Sequence, residues 1–322
     1  MNQPGLRELE VVRAGMFMTI QDGGRYGYQQ LGIVPAGAMD EQAHQLANLL
    51  VGNARTAPVL EVTGPGSSLR AECDLLLALG GADLGAKVGA TKILPWRSFR
   101  LAKGATLTFT TRRTGWRTYV AIAGGIESEE VLGSGSTYVQ GGIGGFEGRP
   151  LQKGDRIRIG QSSRSTRAGR KLSPSLLPSY SAAPRVRVVL GPDDRWFSKK
   201  SIELFFTQSY QIGVDSNRMG YRLYGEQKME RTQIELLSEA VTKGTVQVPP
   251  EGQPIVMMAD RQTTGGYAQI ATVISADLSV VAQLAPGDQL SFCAVSVEAA
   301  QTEAIHRERL LRQIEMVSHT IS

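Results

Sequence analysis

Glycine decides what this chain can become. It supplies 37 of the 322 residues, well above the usual ~7%, and glycine serves tight turns better than helix interiors. Aromatic residues are only 6% and long helical periodicities are few. The sequence therefore predicts a turn-rich, mainly β protein with a few helices. Strands are expected at 75–79, 106–110, 118–123, 156–159, 186–190, 255–258 and 289–294, several with the period-2 alternation of a half-buried sheet. Helices are expected after Asp40 up to Gly52-Asn53, over 199–208, and from about 297 to 317. The last carries Leu310, Leu311, Ile314 and Val317 on one face.

Charge locates a boundary. The formal net charge is +5. No acidic residue lies between Asp155 and Asp193, an interval holding Arg156, Arg158, Arg164, Arg167, Arg170, Lys171, Arg185 and Arg187. The excess belongs to that segment and is not interleaved with aromatics, which argues against nucleic-acid binding. Within it, 161–184 is rich in serine, proline and basic residues, a composition that buries too little to offset its ordering. The expected organisation is a first domain at 1–160, a linker at 161–184, a second domain at 185–298 and a C-terminal helix at 299–322.

Internal echoes suggest that the two domains are related. Arg-x-Gly-Tyr-x-x-x-Gly occurs at 25–32 and again at 218–225. Leu101-Ala102-Lys103-Gly104, Leu151-Gln152-Lys153-Gly154-Asp155 and Leu284-Ala285-Pro286-Gly287-Asp288 each lead into an expected strand. Two β-barrels related by duplication would place Arg25 and Arg218 equivalently. Ordinary turn chemistry is the rival explanation.

Several chemistries lack their signature. Cys73 and Cys293 are 220 residues apart with no CxxC, excluding a disulfide scaffold or a cysteine zinc site, and no metal site is expected. His44, His306 and His319 form no recognisable catalytic motif, and His44 reads as a structural surface or interface residue. There is no P-loop, and Glu147 interrupts the glycine run at 141–145 before it completes a dinucleotide fingerprint. No lysine sits between methionines as in a biotin carrier. No apolar run approaches ~20 residues and no secretory signal is evident, so a cytoplasmic location is expected.

Longer motifs carry a resemblance. Thr19-Ile20-Gln21-Asp22-Gly23-Gly24-Arg25-Tyr26-Gly27-Tyr28 is followed by Ala36-Gly37-Ala38-Met39-Asp40, Asn48-Leu49-Leu50-Val51-Gly52-Asn53 and Leu60-Glu61-Val62-Thr63. Then come Gly80-Gly81-Ala82-Asp83, Ala123-Gly124-Gly125-Ile126, Gly244-Thr245-Val246-Gln247-Val248-Pro249-Pro250 and Gly252-Gln253-Pro254-Ile255. Ala259-Asp260-Arg261-Gln262-Thr263-Thr264-Gly265-Gly266-Tyr267 completes the series. In this order they resemble the allophanate hydrolase subunit 2, or biotin-dependent carboxyltransferase, family over about 9–298. Asn217 and Ala268 depart from residues usual in the family. That family includes the C subunit of the ATP-dependent 5-oxoprolinase and one half of the carboxyltransferase region of urea carboxylase. It also includes a relative first described as an antagonist of a sporulation-kinase inhibitor.

The resemblance implies two cyclophilin-like β-barrels, partners like the A and B subunits of the 5-oxoprolinase complex, and opening of 5-oxo-L-proline to L-glutamate. ATP would be bound with or by the partners. A biotin-dependent carboxyltransferase component acting on urea or a related amide is the alternative, and biotin belongs only to it. A non-catalytic regulator that antagonises a sensor-kinase inhibitor is the third reading.

Activating an amide builds negative charge on its oxygen, which fixed donors stabilise. Arg25, Arg218 and Arg261 are candidate cations, although Arg25 and Arg218 are equally suited to pair with a carboxylate in each barrel; Gln247, Gln253 and Gln262 offer both a donor and an acceptor. Asp260 or Asp40 is the candidate proton carrier, although Asp40 is equally placed to cap the helix after it. Asp22 and Asp83, beside glycines, read as turn formers. Tyr28, Tyr221, Thr263, Gly265, Gly266 and Tyr267 complete the expected substrate-binding set. The polar run 260–267 follows a buried-looking strand and carries more hydrogen-bonding groups than a plain hairpin requires.

Overall fold

The computed structural model describes residues 7–162, 167–231 and 237–320. The chain divides into two compact units, one built from Met1–Arg25, Ala36–Ser179 and Leu311–Ser322, the other from Tyr26–Pro35 and Tyr180–Leu310. It is mainly β, as the glycine content requires. Among the described residues no helix is long and apolar enough to cross a membrane.

In the first unit β1 (Glu8–Ala14) and β2 (Phe17–Gln21) precede α1 (Glu41–Leu50). Then follow β3 (Val59–Thr63), β4 (Ser67–Ala71), β5 (Leu75–Asp83), β6 (Ala86–Val88), β7 (Thr91–Lys92), β8 (Arg97–Leu101), β9 (Thr106–Phe109), β10 (Thr114–Ile122) and β11 (Arg156–Arg158). They pair as a six-stranded sheet, β11-β1-β4-β9-β6-β7, and a five-stranded sheet, β2-β3-β10-β5-β8. The core takes inward positions from both sheets, with Leu9, Val11, Leu69 and Leu107 from one and Ile20, Leu60, Leu77 and Val120 from the other. Asp40 caps α1, its carboxylate accepting from the Ala43 N–H at 2.9 Å. α1 lies over β5 and β10, and close approach is possible because residue 80 is glycine. A Cβ there would fall 2.6 Å from the Ala43 carbonyl oxygen.

The second unit contains β12 (Arg185–Leu190), α2 (Lys199–Thr207), β13 (Tyr210–Ile212), β14 (Gly220–Gly225), β15 (Glu239–Ala240), β16 (Thr245–Val248), β17 (Ile255–Met257), β18 (Thr264–Gly265), β19 (Ala268–Val273), α3 (Leu278–Ala282), β20 (Gln289–Ala294) and α4 (Val297–Thr320) as far as Leu310, the rest of that helix being counted with the first unit. Seven of its strands close a barrel in the order β12-β19-β16-β17-β14-β13-β20. Stacked rings of Phe205 and Phe292, with centroids 4.5 Å apart, seat α2 against β20. On α4, Leu311 is buried but Val317 is 56% exposed, so the apolar face expected there is only partly covered.

The echoes divide in their outcome. The lysine- or proline-glycine sequences form the same turn three times. The N–H of Ala105, Asp155 and Asp288 donates to the carbonyl of Ala102, Gln152 and Ala285 at 2.9, 3.2 and 3.0 Å. Gly104, Gly154 and Gly287 have φ of 78°, 93° and 89°, the left-handed position of a type II turn. The arginine motif does not repeat its structure. Arg218 stands before strand β14, whereas Arg25 follows β2 and leads into a 3-10 turn at Gln29–Leu31. Strand pairing closes a barrel in the second unit, while the first pairs as two sheets.

The basic segment before the second unit is tied along edge strand β8. The Ser98 N–H donates to Arg170 O (2.8 Å), Gly169 N–H to Ser98 O (2.9 Å) and Leu172 N–H to Trp96 O (3.2 Å).

His44 is buried, not at the surface as its sequence context suggested. Its Nε2 lies 2.8 Å from the Ala57 carbonyl oxygen. Burial pulls its pKa below the ordinary 6.5, outweighing the opposing pull of the Ala57 bond and nearby carboxylates. A folded state that favours the neutral ring gains full stability above the unfolded pKa and loses it as pH falls below that value. The midpoint of thermal unfolding should fall from pH 7 to pH 5, and His44→Gln should flatten that dependence. Parallel slopes in a pH series of melting curves would assign the loss to other groups.

Candidate functional site

The connection from β17 to β19 gathers most of the polar residues singled out in the sequence. β16 pairs antiparallel with both strands, Val246 facing Val256 on one side and Ala271 on the other. β17 and β19 are therefore parallel, and residues 258–267 must return along β16. All four β16 residues are buried. Alternate side chains point to opposite faces, so one pair faces the barrel interior and the other lies beneath the crossover. Gln247 is in the covered pair, its Nε2 donating to the Tyr267 carbonyl at 3.4 Å.

Arg218 and Asp260 fasten the start of this crossover. The guanidinium donates through Nε to Oδ2 and through Nη2 to Oδ1, both at 2.9 Å. The Asp260 N–H donates to the Arg218 carbonyl at 2.8 Å. Both side chains are less than a tenth exposed. This is a charge-assisted, bidentate pair, and Asp260 is engaged on both oxygens.

Further along, backbone carbonyls hold Arg261. Its Nε donates to Val241 O at 3.1 Å and Nη1 to Met258 O at 3.4 Å. The Val241 N–H donates to Thr263 O at 2.9 Å, and β15 pairs with β18 through Glu239–Gly265 and Ala240–Thr264. Gly265 is hemmed in. An added Cβ would meet Gln247 Nε2 at 3.0 Å and both Gln262 Nε2 and Val241 Cγ2 at 3.2 Å. Two carboxamides thus converge on one glycine backbone. Thr263 and Gly266 are half-buried beside them and Tyr267 is 43% exposed. Such a group can offer donors and acceptors to a planar amide, with Arg261 as the neighbouring cation.

Not every expected residue is in this cluster. Tyr221 is core, its hydroxyl 3.3 Å from the carbonyls of Ala282 and Leu284. Gln253 lies at the opposite end of the β14–β17 pair. There its Oε1 accepts from the Gly225 N–H (2.8 Å) and its Nε2 donates to Gly225 O (3.1 Å). It borders an open cleft of about 300 Å³ shared with Arg222, Tyr224, Lys228 and Glu251.

Three more lie outside the crossover. The Asp40 carboxylate caps α1. Arg25 is 1% exposed and donates to Val131 O (3.4 Å) and to Ser136 O. Tyr28 precedes the 3-10 turn, its carbonyl accepting from the Leu31 and Ile33 N–H groups at 2.9 and 3.3 Å.

Two polar clusters in the first unit go beyond any role read from the sequence. Glu61, fully buried on β3, accepts from the Met39 N–H (2.8 Å) and the Tyr119 hydroxyl (2.9 Å), with Arg117 Nε at 3.8 Å. The Tyr119 hydroxyl also accepts from the Asp40 N–H at 2.7 Å. Burial first, then the Glu61 and Asp40 charges, raise the Tyr119 pKa well above 10, so this phenol keeps its proton. A carboxylate inside the apolar run 59–62 was the available signal. Asp22 does form its turn, accepting from the Gly24 N–H at 2.7 Å. It also accepts from Ser134 Oγ (2.6 Å), Ser136 Oγ (2.5 Å) and the Gly135 N–H (2.6 Å). Asp83 bonds the Gly85 N–H at 2.9 Å, a turn former as expected.

Comparison with known proteins shows the family. Residues 31–294 match the family model "Carboxyltransferase domain, subdomain A and B". The chain is 41% identical over 308 residues to the C subunit of 5-oxoprolinase from Escherichia coli (strain K12), covering 95% of this chain and 97% of that protein. It is 30% identical over 311 residues to "Urea amidolyase" of Saccharomyces cerevisiae, covering 91% of this chain and 17% of that one. The crystal structure of Kluyveromyces lactis urea carboxylase superposes with a TM-score of 0.90 at 29% identity, covering 98% of this chain and 30% of that chain.

Asp260→Ala removes both carboxylate contacts from the buried Arg218 guanidinium, which should cost about 3–5 kcal/mol of unfolding free energy. Arg218→Met combined with Asp260→Leu should recover most of that loss in urea titrations. A loss below about 1 kcal/mol for the single variant, the level of an exposed pair, would show that the pair does not anchor the crossover.

Proposed function

The chain belongs to the carboxyltransferase domain subdomain A and B family, and from that premise we propose that it is the C subunit of an ATP-dependent 5-oxoprolinase. In this reading it works with partners like that complex's A and B subunits to convert 5-oxo-L-proline, ATP and two waters into L-glutamate, ADP and phosphate. The observation that carries it is the degree of likeness: the chain is 41% identical to the Escherichia coli 5-oxoprolinase C subunit over 308 residues and 30% identical to urea amidolyase over 311.

The crossover suits the substrate side of this reaction. A lactam presents one N–H and one carbonyl in a plane, and the Gln247 and Gln262 carboxamides supply complementary groups around Gly265. Phosphorylating the lactam oxygen draws charge from the ring nitrogen and makes the carbon open to water. Arg261 is placed to steady the charge that develops on oxygen. Asp260 remains the candidate proton carrier, although Arg218 must share it. Because that pair is neutral overall, it is a poor cradle for a triphosphate, so the nucleotide is assigned to the partners.

A second reading is favoured by the TM-score of 0.90 with urea carboxylase. Here the chain would be a biotin-dependent carboxyltransferase component acting on urea or a related amide, with biotin carried on a partner. Both readings ask the same crossover to hold a planar amide.

The complex purified with its native partners should hydrolyse ATP in response to 5-oxo-L-proline, release glutamate in step with ADP, and be indifferent to avidin. Arg261→Gln should lower turnover by about 10²–10³-fold while the complex still assembles on gel filtration. Absence of 5-oxoproline-dependent turnover together with avidin-sensitive carboxylation of urea would move the assignment to the second reading.

A further inference from the structure

The first unit places like charges directly against one another twice. Lys87 on β6 faces Lys92 on β7, and Arg97 on β8 faces Lys171 in an antiparallel bridge. All four side chains are exposed. Like charges directly opposite across strands are destabilising, and no carboxylate lies in register to relieve them. The other strand partners of Lys87 and Arg97 are Thr108 and Leu79. Among the described residues none of the four makes an ion pair. On the same unit Arg70, Arg113, Arg149 and Arg156 each have a carboxylate within 3.5 Å.

The two pairs are close along the chain. Four residues lie between Lys92 and Arg97, five steps along the chain and a reach of at most about 18 Å. Leu94 between them is 47% exposed. The connection turns at Trp96, whose φ of 65° is left-handed and unusual for a bulky side chain. It is held by the Trp96 N–H on Leu79 O and the Leu172 N–H on Trp96 O. Strained backbone that neighbours hold in place is a feature of functional surfaces. Lysine on an edge strand commonly discourages other strands from pairing. One outward charge does that, and an opposed pair with its own repulsion is not required.

We infer that this surface, marked by Lys87 and Lys92 at the edge of the six-stranded sheet and by Arg97 and Lys171 at the edge of the five-stranded sheet, with Leu94 between the pairs along the chain, is a docking surface for an acidic, extended segment of a protein partner. An acidic segment would relieve both repulsions at once, and Leu94 would take an apolar side chain from it. Nucleic acid fits less well, because Trp96 is buried and Phe99 half-buried, leaving these bases no exposed ring for nucleobases to stack on.

The test uses the full chain and poly-L-glutamate as the probe, followed by fluorescence anisotropy. Binding should weaken steeply as salt rises, because exposed charges are screened. Arg97→Glu with Lys171→Glu should weaken it by about tenfold or more, a coupling of ~1.4 kcal/mol or greater. Lys199→Glu with Lys200→Glu, the same charge change on exposed residues of the second unit, should weaken it less than twofold. Arg97→Glu alone sets opposite charges across the bridge to Lys171, so its melting temperature should equal or exceed that of the parent while binding falls. Equal losses in the two double variants would overturn the inference, as would a lower melting temperature in Arg97→Glu. Tighter binding of a 20-nucleotide single-stranded DNA than of poly-L-glutamate at the same salt would also overturn it, in favour of nucleic acid.

Discussion

A buried, bidentate ion pair 42 residues apart in sequence governs the second unit. Arg218 and Asp260 tie the end of β17 to the start of β14, and the crossover over β16 departs from that knot. Polar backbone laid against a strand is tolerable only when its groups find partners. Here Val241, Met258, Thr263 and Tyr267 supply the carbonyls, and Arg261 and Gln247 supply donors. One of these bonds holds Gln247 beside Gly265, where the Gln262 carboxamide also approaches. What rigidifies the fold therefore also shapes the candidate site.

The first unit solves the same problem with different chemistry. Its interior acids, Asp22 and Glu61, are satisfied chiefly by hydroxyls and backbone N–H groups. The high pKa of Tyr119 keeps a proton available to Glu61 across any ordinary pH. Asp40 is built into this arrangement twice, through its carboxylate at the α1 cap and its N–H on Tyr119. That double engagement gives it the character of a structural hinge pin for the helix.

Much of this was legible in the sequence, for local reasons. The strand at 289–294 coincides with β20, Asp40 opens α1 as a capping residue, and the helix expected from 199 is α2. The glycine turns at 104, 154 and 287 follow from side-chain-free φ alone. Interactions that span the chain were not legible. For Arg218 the sequence allowed either a substrate contact or a carboxylate partner, and for Asp260 a proton carrier, because nothing local says that these two reach for one another. Tyr221 and Gln253 sit in motifs whose residue types suit a site. The barrel instead directs one inward and sets the other at the far end of its strand pair. Glu61 was visible as an acid in an apolar run, but its value depends on Tyr119 and Met39 arriving from elsewhere. The 3-10 turn after Arg25 departs from the strand after Arg218 although the motif letters agree, since neighbours rather than letters choose between turn and strand.

The barrel's closure has a consequence for how the protein is made. β12 and β20, the first and last strands of the ring, pair in parallel, Val186 with Phe292 and Val188 with Ala294. Such non-local contacts are slow to form. During synthesis β12 emerges long before its neighbour exists, and its free side stays open while the whole intervening length is translated. Until β20 arrives, a nascent chain offers that open side to any other strand nearby. The half-built ring is therefore the stage at which this chain is most exposed to pairing with other chains.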